Sequence, residues 1–169
     1  RRYERISISN GVVSSYVHGA LSEGVGKIGV LVALESAANK NLLKNLGKQL
    51  AMHIAATKPR SISQEDLSLK DIERERSVLF EQAISSGRPE TIVQKMVDGR
   101  MNKFFEEVCL LHQTFVIDGN SKVSDVIATV EEEAGEKISI SEFKIFVLGE
   151  GIEKKEDDFV AEVASVSGV

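Results

Sequence analysis

Two amphipathic segments meet at Gly87-Arg88-Pro89, and together they constrain the fold more than any other feature of the chain. Leu67 to Ser86 ("LSLKDIERERSVLFEQAISS") sets Leu69, Ile72, Leu79 and Ala83 close to the a and d spacing of a helical seam, which Arg76 interrupts. Glu90 to roughly Val108 brings Ile92, Val93, Met96, Val97, Phe104 and Phe105 into a second segment of the same kind. Gly87 stands where a helix C-cap belongs, and Pro89 suits the first turn of the helix that follows. Two helices of about 20 residues joined by so short a turn form an antiparallel hairpin roughly 30 Å long. Their apolar faces are narrow and their charges many. A coiled-coil pair projecting from a body is therefore expected, not two buried core helices.

The flanks supply that body. Ile6 to Ser9 and Val12 to His18 read as strands, and Asn10-Gly11 between them is a strong signal for a tight hairpin. Ile28 to Leu34 ("IGVLVAL") is a further short apolar strand. Just before it, "GVGKIG" (Gly24 to Gly29) fits the spacing of a dinucleotide-binding loop, but that loop must end on a helix N-terminus to receive phosphate. Here the Gly-rich segment leads from strand to strand, so a plain connecting loop is expected. Leu43, Leu46, Leu50 and Ile54 then form one helical stripe that begins near Asn39 and ends before Pro59, with His53 beside it. A shorter helix follows, with Ser121 or Ser124 as its cap, Val123, Val126, Ile127 and Val130 as its buried face and Gly135 as its end. Ile138 to Leu148 alternates as a strand, with Phe143, Ile145 and Val147 opposed to Lys144. Asp157-Asp158 ahead of "FVAEVASV" suggests a capped terminal helix with Phe159, Val160 and Val163 inward. The expected class is α+β: a small antiparallel sheet packed with helices, residues 1–60 and 112–169, split by an inserted protruding hairpin, residues 61–111.

Chemistry is sparse in this sequence. A net charge of −5 argues against broad nucleic-acid binding, and no apolar run approaches the roughly 18 residues of a membrane span. One cysteine rules out an internal disulfide framework and suits a reducing, cytoplasmic setting. Cys109-x-x-His112 is half a zinc site without a second half, because a structural site needs four ligands. Cys109 is better read as a small buried hydrophobe. The acidic clusters Glu131 to Glu133 and Glu156 to Asp158 suit solvated helix ends. No catalytic constellation, metal or cofactor is expected; the chain reads as a binding module. Tyr16 and His18, alternating on one strand face at the rim of the loop Gly19 to Lys27, are the candidate partner contact.

Four stretches go further. "SSYVHGALSEGVGKIGVLVAL" (Ser14 to Leu34), "QLAMHIAATKP" (Gln49 to Pro59), "VDGRMNKFFEEVCLLHQTFV" (Val97 to Val116) and "FVLGEGIEKKEDDFVAEVA" (Phe146 to Ala164) resemble bacterial elongation factor Ts. The match runs in order from Ile6 to the C-terminus and covers the C-terminal portion of that family. The resemblance implies a nucleotide-exchange factor that binds the GTPase elongation factor Tu and promotes GDP release without covalent chemistry. It assigns Tyr16, His18 and Gly19 to the family's YxHG segment, and Phe159 and Val163 to a helix that packs near the nucleotide domain of the GTPase. The hairpin corresponds to the family's coiled coil, which contacts the partner or a second subunit, so a homodimer stands beside the GTPase complex. The chain opens on Arg1-Arg2, and the family's N-terminal module and "TDFV" motif would precede it. A fragment that binds yet exchanges poorly is expected. Ser22-Glu23-Gly24 also lengthens the loop relative to the family's tightest pattern. A self-associating module without exchange activity is the alternative.

Overall fold

The computed structural model describes residues 3–85 and 87–151, and it is an α+β structure. Strands β1 (Gly11–His18), β2 (Ile28–Glu35) and β3 (Ser139–Val147) form one antiparallel sheet in the order β1-β2-β3. Helix α1 (Lys40–Thr57) lies across β1 and β2. Helices α2 (Leu69–Ile84) and α3 (Glu90–Val108), a 3₁₀ turn (Leu110–His112) and α4 (Val123–Ala134) come between α1 and β3.

Helix α1 starts where its cap lies: the Asn39 side chain accepts the backbone N–H of Asn41 at 2.8 Å. Its stripe of Leu43, Leu46, Leu50 and Ile54 is buried against Val12, Val30, Val32 and Leu34 of the sheet. Each such side chain contributes roughly 1.5–3 kcal/mol by leaving water. The approach is close at Gly47, where any side chain would run into Ser14 of β1.

The expected hairpin at Asn10-Gly11 does not form. Ile6 to Ser9 is not a strand, and β1 pairs only with β2. A type I′ turn needs positive φ at both central residues, and among the described non-glycine residues only Lys58 has it. Gly11 serves packing instead: its φ is 140°, and a Cβ there would strike the Leu34 carbonyl. The hairpin that does form joins β1 to β2 through residues 19–27.

Ile138, just before β3, and Ile140 are in one phase, and Phe143, Ile145 and Val147 of β3 are in the other. Strict alternation would send one set outward. The register resolves this: Leu34 pairs with Ile140 and Ala33 with Glu142, so Ser141 is an extra residue in a bulge. Ile140, Phe143 and Ile145 thereby all reach the same core.

Helices α2 and α3 pack on each other around a cluster of their own, Ala83, Val93, Val97 and Met101, flanked by Ile72, Leu79, Phe80, Phe104 and Phe105. Arg76, which breaks the apolar seam, reaches Asp98 at 3.1 Å across the pair. Leu69 is not part of the seam; it precedes the zone where the helices touch and is 76% exposed. Ile92 is also largely exposed, whereas Met101, which the spacing did not mark, is buried. Gly87 takes a left-handed φ of 68°, but the C-cap of α2 is Ser85, two positions earlier and right-handed, and Pro89 sits one position ahead of α3, its carbonyl accepting from Ile92 and Val93. The segments entering and leaving the pair are zipped together. Arg60 N–H donates to the Val108 carbonyl (2.8 Å), Leu110 N–H to Ser61 (2.9 Å) and Leu111 N–H to Ile62 (3.0 Å).

Neither Ser121 nor Ser124 caps α4. Lys122 occupies the cap position, and no side-chain bond closes that end. Gly135 ends the helix at φ of 68°, as expected. The terminal segment with Phe159, Val160 and Val163 lies outside the described residues.

Candidate partner-binding surface

The far end of β1 carries the candidate contact. Tyr16 and His18 pair with Val30 and Ile28 of β2, so both lie on the face that holds the core. Tyr16 is half-buried and packs against that core, whereas His18, beyond the cover of the helix, is exposed. The Tyr16 hydroxyl lies 3.2 Å from His18 Nδ1, with ring centroids 6.1 Å apart. Among the described residues Nε2 has no hydrogen-bond partner, so this edge of the exposed ring is open to a partner.

Gly19, at φ of 63°, turns the chain out of β1. Beyond it the loop closes on itself: Leu21 N–H donates to Val25 (2.8 Å), Val25 N–H to Ser22 (3.1 Å), and Lys27 N–H to His18 (2.9 Å). Gly26 lies tight beneath, where a Cβ would stand 2.5 Å from Val17 Cγ1 and 2.8 Å from the His18 carbonyl. The outcome is an ordered tip that carries Leu21 and Val25 largely exposed. Leu148, also exposed, donates its N–H to the Lys27 carbonyl where the loop enters β2 (2.8 Å). Exposed Leu21 and Val25 lie in the loop that leaves β1 after Tyr16, His18 and Gly19, and Leu148 meets the end of that loop at Lys27; sequence reasoning did not mark these three. Apolar residues inside a Gly-rich loop were the available signal. Phe159 and Val163, the other expected contacts, fall outside the described residues.

The remaining candidates have structural work. The Gly-rich segment runs from β1 into β2, and no helix N-terminus receives it. Cys109 is fully buried, its thiol pushed up by that burial, with the Ser61 hydroxyl donating to Sγ at 3.5 Å. His112 turns to Gln64 at 3.4 Å. Glu131 closes the turn between α4 and β3 by accepting Ile138 N–H (2.8 Å) and pairing with Lys137 (2.9 Å). These contacts, the Ile138 amide foremost, hold its carboxyl below the usual range. Among the described residues no group of three or more His, Cys, Asp or Glu could hold a metal ion, and no helix is long and apolar enough to cross a membrane.

A surface without a reaction centre fits many proteins, and comparison narrows the field. A family model described as Elongation factor TS matches residues 1–150. The chain belongs to the elongation factor Ts family. It is 52% identical over 167 residues to elongation factor Ts of Agrobacterium fabrum, covering 99% of this chain and 54% of that protein. The factor of Rhodospirillum centenum is 51% identical over 168 residues, covering 99% and 55%. That of Caulobacter vibrioides is 48% identical over 168 residues, covering 99% and 54%. The chain therefore spans about half the length of the curated relatives it matches.

Proposed function

We propose that this chain is the portion of a translation elongation factor that grips the GTPase elongation factor Tu, and that the whole protein promotes GDP release from it. The observation that carries the reading is the ordered end of the sheet. Tyr16, His18 and the loop from Gly19 to Val25 offer a preformed, part-apolar contact with an exposed imidazole, and exposed Leu148 is bonded to Lys27 at the end of that loop. Family membership supports elongation factor Tu as the partner of that contact. The mechanism is thermodynamic linkage: a partner that binds the empty GTPase more tightly than the GDP form must weaken GDP binding by the same factor. Pre-organisation supports this role, because a loop already closed by its own hydrogen bonds loses little freedom on docking.

The chain performs no covalent step, acts in the cytoplasm, and engages a protein and not nucleic acid or membrane. Residues 61–111 work as a separate arm, a division supported by the distinct core of α2 and α3 and by the zipped segments at their base. Exposed Leu69, Val78, Ile84 and Ile92 on that arm favour a second reading, self-association. Mixing the chain with nucleotide-free elongation factor Tu and measuring molar mass by light scattering tests both. A one-to-one complex that dissociates on adding GDP and Mg²⁺ is expected. A chain that pairs only with itself would leave the second reading alone.

A further inference from the structure

His53 is fully buried in α1 and sits at a crossing of three elements. The Val116 N–H points at Nδ1 from 3.2 Å. A backbone N–H can only donate, so Nδ1 must carry a lone pair and the ring proton must be on Nε2. Nε2 then donates to Gln113 Oε1 at 2.9 Å. That oxygen also lies 2.9 Å from the Thr57 hydroxyl, whose single proton is shared between it and the His53 carbonyl 3.0 Å away. The Gln113 Nε2 end donates to the Glu107 carbonyl, 2.7 Å away in the last turn of α3, and because a carbonyl can only accept, this bond fixes the orientation of the amide. One imidazole therefore links the stretch before α4, the body helix α1 and the base of the α2–α3 pair. Among the described residues no buried side-chain polar atom lacks a partner, so the network is complete as drawn.

This arrangement admits one protonation state. A proton on Nδ1 would set one N–H against another at Val116, and the Phe115 ring 5.6 Å away offers no lone pair. The titratable groups on the elements packed around it are Lys58 at the end of α1, Glu106 and Glu107 on α3, and Cys109 and His112 about the 3₁₀ turn. Asp118, Lys122 and Asp125 lie before and within α4. None of their side chains joins the network, and burial, then Gln113, are the influences acting on the ring. We propose that His53 is an acid-sensitive latch: its neutral ring pins residues 113–116, and through Gln113 the last turn of α3, to α1, and its protonation releases that junction while the sheet stays folded. The latch stands on the hydrogen-bond geometry and is independent of any exchange activity.

Nitrogen-15 NMR of the histidine rings, recorded with amide exchange across an acid titration of the chain, tests this. Val116 protection should fall about tenfold per pH unit between 6.5 and the midpoint of ring titration, the slope of an opening coupled to one proton. The Val32 amide at the sheet centre should stay protected over that range. A His53→Gln variant, which keeps an N–H donor but takes up no proton, should lose the acid step. The proposal is overturned if Val116 protection ignores the ring titration, falls together with Val32, or falls equally in His53→Gln. Should that variant not fold, the match or mismatch of the two wild-type curves decides alone.

Discussion

Replacing Gly47 by Ala sets two effects of known sign against each other. Helix propensity favours Ala over Gly by about 1 kcal/mol in a helix interior. Against this, the new Cβ would strike Ser14 Oγ and stand 2.8 Å from Ser14 Cβ, where ordinary contact begins at 3.4 Å. The hydroxyl can rotate away, but the Cβ is fixed to a strand paired along its length with β2. Helix and strand must then part by roughly half an ångström, which forfeits about a quarter of each dispersion contact along the shared face. That face includes fully buried Leu43, Leu50 and Leu34, and overpacking of this kind costs about 1–3 kcal/mol. The net expectation is a loss of about 1 kcal/mol, or about 2–4 °C in Tm for a chain of this size. Urea unfolding followed by circular dichroism measures it. Adding Ser14→Gly should recover part of the loss, with a coupling energy of at least about 0.5 kcal/mol in the double-mutant cycle. A Gly47→Ala variant stabilised by about 1 kcal/mol, or a coupling near zero, would refute the close-approach argument.

Three further outcomes are expected. Burial lowers the His53 pKa below 6.5, so the unfolded chain binds that proton first and stability should drain away as pH falls below 6.5 toward the native value; urea midpoints across that range should show a slope that His53→Gln lacks. Gly135→Ala has open space but a left-handed φ of 68°, so it should lose about 1 kcal/mol from backbone strain alone; an unchanged urea midpoint would remove strain as the reason for glycine there. On the proposed reading, His18→Ala should weaken the complex with nucleotide-free elongation factor Tu about tenfold at unchanged Tm, and Leu21→Ser with Val25→Ser should do likewise; titration calorimetry giving unaltered affinity would move the contact elsewhere.

Much of the candidate site was legible because its signals are local. Tyr16 and His18 two apart in a β-branched run announce a shared face, and Gly19 after them announces a turn. What could not be read was which neighbours that turn would gather. Leu21 and Val25 look unremarkable until the loop closes on Val25, and Leu148 arrives from more than a hundred residues away through a bond to Lys27. Asn10-Gly11 shows the opposite failure. A dipeptide with strong local preference was overruled, because β1 found its partner in β2 and needed glycine for clearance at Leu34.

By itself, then, the sequence determined the helices. The stripe from Leu43 to Ile54, the break at Gly87 and the stop at Gly135 each depend on residues a few positions apart, where backbone geometry sets the spacing. It also carried the phase change along β3, although only pairing with Ala33 and Leu34 turned that change into a bulge. Tertiary structure alone decided where His53 lies relative to Gln113 and Val116, and with it the ring's tautomer and the latch. Those contacts join residues some sixty positions apart, across a helix pair that no local preference can measure.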